Sequence, residues 1–545
     1  MTKNFNYRTT VHITDQRMKL GFRCVLPEEM KGRRVRVQAI FSGRSIQRRF
    51  PMDTVIEDQE TGPQIMADAE IELPYVFLNM PRRRVTVTFS LWCGLEEYQL
   101  DDQPFPVNRE LFLGEEKERK KKPVSFALST LALPLILAGR YLTGGHDGKA
   151  AMKEANEAIY RKTGYSYSPR QRHTDYFADC YQSYVRKVGK PEKGNILFLS
   201  ERLPEPGGNL MLVKEMLEGQ PSVSIQEFIH TKTIDKLKRK EIRECAKKCA
   251  EASVIILEDF YPQLHALNKR RETRIVQLWH ACGAFKTFGL TRIGKPGGAP
   301  QSSRNHRNYD LVSVSSQPIR NIYAEAFGIS PSKVKALGVP RTDALFDPEI
   351  CRAKKDAIYR AYPVLKGKKV VLFAPTFRGD GNKDAFYPAE AFDPERFMKA
   401  LPDDVVLIIK HHPFVESSVI VDPAYSDRVL DLTGKDHIND LMMVSDLLIT
   451  DYSSSVFEAV ILRLPMLFYA FDEEEYTASR DFYVDYEEFV PGPIAHTFDD
   501  LIRKTEEMIR SENSPDYRIF TEAFLGALDG HSTSRIVDCI LHELI

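Results

Sequence analysis

From Gly194 onward, short runs of branched apolar residues alternate with stretches of helical periodicity. NILFLSE (195–201), SVIILED (253–259), RIVQLWH (274–280), DLVSVSS (310–316) and VKALGVP (334–340) form one series. KVVLFAPTF (369–377), DVVLIIKHHP (404–413), SDLLITDYS (445–453) and PMLFYAF (465–471) form a second, after Gly367. Continuous apolar runs between helices are the pattern of parallel strands buried on both faces. Two doubly wound α/β units are therefore predicted, over 193–355 and 356–545. Upstream the pattern differs. VRVQAIF (35–41) and VTVTFSLW (85–92) alternate only in part and are separated by Pro and Gly, which predicts a sandwich-like β domain over residues 1–112.

Between these regions, 113–192 reads as a linker with an unusual composition. The charge run EEKERKKK (115–122) precedes an apolar stretch, 123–142, interrupted by Ser125, Ser129, Thr130, Pro134, Gly139 and Arg140. That stretch is close to the shortest length that spans a bilayer, and Pro134 sits in its middle. The pattern fits a helix lying at a membrane interface, with the preceding lysines near anionic headgroups. A core helix that packs the β domain against the rest is the alternative.

Composition narrows the function. Lys plus Arg and Asp plus Glu each number 76, so no nucleic-acid partner is expected through bulk charge. The eight cysteines are dispersed, the nearest two being Cys245 and Cys249 on a lysine-rich helical stretch. That is neither a disulfide framework nor a metal pattern, and a reducing compartment is expected. The start, MTKNFNYRTT, lacks the basic-then-apolar order of a signal peptide.

In open α/β sheets, ligands bind beyond the carboxyl ends of the strands, and the polar residues cluster there. LWHACG places His280 past one strand and GVPRTD places Arg341 and Asp343 past another. APTFRGD supplies Thr376 and Arg378, and KHHP supplies Lys410, His411 and His412. TDYSSSVFE supplies Asp451, Ser453, Ser454, Ser455 and Glu458. Three serines at the start of a helix offer hydroxyls, free N–H groups and the helix dipole to a phosphate. Simple N-capping needs one of them. Glu458, a turn further on, is placed to accept from a ribose. His280 or His412 suits a general base or a donor to a leaving diphosphate, and Arg341 and Arg378 add charge for phosphates. Walker-type loops and paired aspartates for magnesium are absent from the sequence, so no cofactor and no metal are expected.

At LWHACG, GVPRTD, APTFR, HHP, TDYSSSVFE and DFYVDYEEFVPGP (481–493) the chain resembles the CDP-glycerol glycerophosphotransferases of wall teichoic acid synthesis. The pieces occur in the family's order over roughly residues 195–535. The resemblance implies a GT-B-type pair of facing Rossmann-like domains and metal-independent transfer of a glycerol-phosphate unit from a CDP-alcohol to a lipid-linked polymer. It implies two functional histidines, at His280 and His412, and a serine pair at Ser453 and Ser454. The implied location is peripheral, on the cytoplasmic face of an anionic membrane. Where LWHG is more usual in the family, Ala281 and Cys282 intervene before Gly283, so a differently shaped loop is expected. The mechanism expected is attack by an acceptor hydroxyl, with His280 as base on the N-terminal unit. The donor would be held by Ser453, Ser454, Arg378 and Glu458, and CMP would leave against His412. Rival readings are a nucleotide-sugar transferase or epimerase on the same fold, and a non-catalytic polymer-binding protein.

Overall fold

The computed structural model describes residues 5–14, 17–42, 47–59, 62–72, 84–108, 169–293, 298–299, 303, 305–379, 384–415, 422–511 and 513–545. The charge run at 115–122 and the interface helix expected at 124–142 lie outside them. Among the described residues, no helix is long and apolar enough to cross a membrane.

The N-terminal region is antiparallel. Its strands are β1 (Tyr7–Thr14), β2 (Arg17–Val25), β3 (Val35–Ser42), β4 (Gln47–Gln59), β5 (Gly62–Glu72), β6 (Arg84–Cys93) and β7 (Glu96–Asn108), in the order β1-β2-β5-β4-β3-β6-β7. β4 joins the two halves: Gln47–Met52 pair with β3 and Asp53–Gln59 with β5. Phe22, Phe41, Phe50 and Phe89 from both halves share one core, which also takes in Leu290 and Ile293 of the first α/β unit. The β domain touches both α/β units. Arg36 Nη1 meets Glu325 Oε1 at 3.3 Å, Arg34 pairs with Asp481, and the Arg34 N–H donates to Asp485 at 2.8 Å.

The first α/β unit contains β8 (Asn195–Ser200), β9 (Ser224–Ile229), β10 (Val254–Leu257), β11 (Arg274–Gln277), β12 (Leu311–Ser313) and β13 (Val334–Lys335). All are parallel, in the order β13-β12-β11-β10-β8-β9. The second contains β14 (Lys369–Phe373), β15 (Val405–Ile409), β16 (Val429–Asp431), β17 (Leu447–Thr450), β18 (Met466–Tyr469) and β19 (Ile494–Ala495). These are parallel too, in the order β16-β15-β14-β17-β18-β19. The inner strands are largely apolar because helices cover both faces. The strands that the apolar pattern misses, β9, β16 and β19, lie at or next to sheet edges, and SIQEFI (β9) is only half-buried.

Two boundaries differ from those expected. The Pro169–Val188 helix packs Phe177 and Tyr181 into the core of the first α/β unit rather than forming a linker. The Ser532–Cys539 helix, at the far end of the second unit's sequence, returns to the first. There Ile536 and Val537 pack with Leu210, Val213 and Val254. This crossing ties the two units together, as does an aromatic seam in which Phe285 stacks on Phe489 at 3.9 Å and on Phe482 at 4.5 Å.

Candidate active site

The carboxyl ends of the two parallel sheets face each other across a cavity of about 700 Å³. The first sheet contributes Ser200 at the end of β8 with Arg202 and Glu205 after it, Glu258 and Asp259 after β10, His280 after β11, and Arg341 beyond β13. The second contributes Thr376 after β14, Lys410, His411 and His412 after β15, Lys435 to Asn439 after β16, and Ser453, Ser454, Ser455 and Glu458 after β17.

His280 is held on two sides. Its Nδ1 lies 2.8 Å from Asp259 Oδ1. Its ring stacks on Trp279, with centroids 4.6 Å apart. Trp279 itself adopts the left-handed conformation, φ 58°, which costs a non-glycine residue about 1–3 kcal/mol and persists only where its surroundings enforce it. Here the Trp279 N–H donates to Gln277 Oε1 at 2.9 Å, and its carbonyl accepts from Asn209 Nδ2 at 2.8 Å. The tight turn aims the next side chain into the cleft. Burial works against the Asp259 carboxylate, but the hydrogen bond and charge of His280, with Arg202, outweigh it and hold its pKa below the ordinary value. Asp259 is therefore ionised at neutral pH. It accepts the hydrogen bond from Nδ1–H, and in that tautomer Nε2 is the acceptor.

His412 is arranged the opposite way. Its Nδ1 accepts from the Phe414 N–H at 3.2 Å. The proton of the neutral ring is therefore on Nε2, which is a donor. Burial, reinforced by the Lys286 charge, lowers its pKa, so the ring is neutral at pH 7. His411, next in sequence, turns to the other side, against Tyr387 and Phe373.

One ion pair joins the two walls, and two further bonds brace it within the first. Arg341 Nη2 donates to Glu458 Oε1 at 2.5 Å, and its Nε to the His280 carbonyl at 3.3 Å. Asn209 Oδ1 accepts from the Arg341 N–H at 2.8 Å, so one buried amide holds the His280 and Arg341 loops together. Gly283, φ 64°, lies under the Phe457 ring; a Cβ there would fall 2.1 Å from Phe457 Cε1. The small residue three positions after His280 therefore lets the serine-bearing helix, Val456–Ile461, approach the His280 loop.

Three of the residues expected to bind substrate are structural. Arg378 is buried between Asp472, which it meets at 2.6 and 2.9 Å, and Asp451 at 3.0 Å, and it does not line the cavity. Asp451 is spent on Arg378 and on the N–H and hydroxyl of Thr376, both 2.8 Å away. Asp343 caps the Ser532–Cys539 helix, accepting from the Ser532 N–H at 2.9 Å, the Thr533 N–H at 2.8 Å and the Thr533 hydroxyl at 2.7 Å. Replacing Asp343 with Ala should lower stability by about 1–2 kcal/mol, read as a fall in Tm, with the donor KM unchanged. A raised donor KM at unchanged Tm would return Asp343 to the site.

The other expected residues line the cavity with roles of different kinds. Thr376 donates to Asp451. Lys410, whose pKa burial lowers, donates to the carbonyls of Leu432 and Lys435 at 3.1 and 2.9 Å and so shapes the loop after β16. Glu458 is bridged to Arg341. Ser455 is buried and donates to Ser453 Oγ at 2.9 Å, whereas Ser454 is exposed to the cavity. Asp259, Glu258, Asn209 and His437 were not singled out in the sequence. For Asp259 the signal was present: two carboxylates directly follow the apolar run SVIIL.

Residues 184–542 match the family model described as CDP-Glycerol:Poly(glycerophosphate) glycerophosphotransferase. The chain is 42% identical over 390 residues to a teichoic acid poly(ribitol-phosphate) polymerase of Bacillus spizizenii, covering 71% of this chain and 61% of that protein. It is 37% identical to the teichoic acid ribitol-phosphate polymerase TarK of Staphylococcus aureus, covering 63% of this chain and 67% of that one. The chain thus spans less than two thirds of the first of these relatives. Among solved structures it resembles the wall teichoic acid polymerase TagF, with a TM-score of 0.53 and 21% identity, over 69% of this chain and 97% of that one. That likeness concerns the fold.

Proposed function

Since this chain belongs to the CDP-glycerol:poly(glycerophosphate) glycerophosphotransferase family, we propose that its cleft transfers a polyol-phosphate unit from a CDP-alcohol to a hydroxyl of a membrane-linked acceptor. The observation that carries the reading is the opposed use of two Nδ1 atoms in one cavity, that of His280 facing the Asp259 carboxylate and that of His412 accepting a backbone N–H. His280 Nε2 takes the proton of the acceptor hydroxyl. The hydroxyl oxygen forms a bond to the phosphorus that carries the polyol, and the bond from that phosphorus to the bridging oxygen breaks. CMP leaves with the electron pair, and His412 Nε2–H donates to its phosphate oxygens. Asp259 stabilises the imidazolium formed at His280. Positioning and charge neutralisation supply the remainder. The enzyme works peripherally at the cytoplasmic membrane face.

The alcohol we propose is ribitol rather than the glycerol implied by the motifs alone, because both similar polymerases carry ribitol phosphate in their names. The test is a donor series of CDP-ribitol, CDP-glycerol and sugar conjugates of uridine and guanosine diphosphate. CDP-ribitol is expected to give the highest kcat/KM and the sugar nucleotides no turnover. Preference for a sugar nucleotide would overturn the reading, and preference for CDP-glycerol would correct only the alcohol.

The donor diphosphate lies against Ser453 and Ser454. Ser454 is exposed to the cavity, and the Ser453 hydroxyl is positioned by Ser455. Replacing both with Ala should raise the donor KM or lower kcat by at least about tenfold. The fold should persist, since a lost cap costs about 1 kcal/mol. Unchanged kinetics in the folded double variant would remove the serines from the site.

A further inference from the structure

The first α/β unit carries a charge asymmetry that the chemistry of the cleft does not use. In a chain with equal numbers of acidic and basic residues, the stretch 231–248 holds eight Lys and Arg against three Asp and Glu. Lys236, Lys238, Lys240 and Arg243 are exposed, and none forms an ion pair among the described residues. The acidic neighbours are partly engaged: Glu241 pairs with Lys232 at 3.1 Å and accepts from the Lys238 N–H at 2.6 Å, and Glu244 meets Lys248 at 3.3 Å.

The stretch begins at the cleft. β9 runs parallel to β8, so the chain leaving β9 emerges at the same edge as Ser200 and Arg202, which line the cavity. The His230 N–H donates to the Ser200 carbonyl at 3.1 Å. From that edge the Arg239–Glu251 helix leads back along the flank towards β10. It buries Ile242, Cys245, Ala246 and Cys249 and leaves Lys240, Arg243 and Lys247 outward at helical spacing. The result is a line of positive charge from the rim of the cleft down the side of the unit that bears His280.

We propose that this strip is an exosite for a polyanionic acceptor, a chain already carrying several phosphodiester groups. Its growing end reaches His280 while its earlier phosphates lie along Lys236 to Arg243. This rests on the polyol-phosphate reading above and deepens it, for it makes the enzyme an extender of existing polymer rather than the catalyst of the first addition. An anionic bilayer would also attract lysines, but no large apolar side chain within 231–248 is exposed to anchor in one.

The test uses the full chain and the triple variant Lys236→Glu, Lys240→Glu, Arg243→Glu, with the corresponding Gln variant as a milder control. All three side chains are exposed, so Tm should hold. Fluorescent polyol-phosphate oligomers of one and of about ten units are titrated by anisotropy. Added salt should weaken binding of the ten-unit oligomer to the wild type. The Glu variant should bind the ten-unit oligomer at least about tenfold more weakly, and the Gln variant should fall between. Binding of the one-unit oligomer and the donor KM should stay within about twofold. Equal losses on both oligomers, or unchanged binding of the long one, would overturn the proposal. So would unchanged oligomer binding with lost sedimentation on phosphatidylglycerol vesicles, which would assign the strip to the membrane. Because the oligomer readout is binding, it stands apart from CMP release by the wild type, which tests the polyol-phosphate reading itself.

Discussion

His280→Ala is expected to slow turnover of the CDP-alcohol by at least about a hundredfold while leaving cytidine nucleotide binding intact. A general base contributes about 10²–10⁴-fold. Nucleotide affinity should survive because the serines and His412 belong to the opposite wall. A companion variant separates base chemistry from packing. In Asp259→Asn the amide nitrogen replaces one oxygen of the acceptor that lies 2.8 Å from His280 Nδ1. The ring then loses the enforced tautomer, and kcat should fall at least about tenfold with His280 still present. His412→Ala should lower donor affinity as well as rate, since a donor to phosphate is removed. Calorimetric titration of these variants with the intact CDP-alcohol separates the roles. If His280→Ala abolished nucleotide binding and His412→Ala left it intact, the two assignments would be reversed.

The largest effect on stability is expected from Arg378→Ala. The guanidinium is buried, bidentate to Asp472 and bonded to Asp451. It also lies within 5.3 Å of the ring centroids of Tyr452 and Tyr476. Burial alone would favour its neutral form, but the two carboxylates outweigh that and raise its pKa. Removing it leaves two carboxylates buried without their cation, which typically costs about 3–5 kcal/mol. Asp451 would then hold Thr376 less firmly, so the cavity wall should loosen as well. The expected observation is a fall in Tm of roughly ten degrees, taking about 2–4 °C per kcal/mol for a unit of this size. A variant with unchanged Tm and weakened CDP-alcohol binding would make Arg378 a phosphate ligand after all.

The contrast between Arg378 and His280 indicates what was legible in the sequence. Strands buried on both faces appear as apolar runs, and this located β8, β10 to β15, β17 and β18. β9 escaped because SIQEFI is half-exposed at an edge and alternates with polar residues. The parallel order then fixes which residues reach the rim, and His280, His412 and the serines do line the cavity. The direction of a rim side chain is set by partners far away in sequence. Asp343 is occupied by a helix 189 residues later, and Arg378 by an aspartate 94 residues on. Neither partner leaves a local trace. The same holds for the Ser532–Cys539 helix, whose apolar face gives no sign of which unit it will cover.

The most direct test of the central claim is the identity of the nucleotide released when the wild-type chain acts on a CDP-alcohol and a short acceptor, with the acceptor weighed by mass spectrometry. Attack at the polyol-bearing phosphorus predicts CMP, one for each polyol-phosphate unit gained by the acceptor, and neither product with His280→Ala. Release of CDP with an acceptor heavier by the alcohol alone would mean that the carbon–oxygen bond is broken, and would contradict the account.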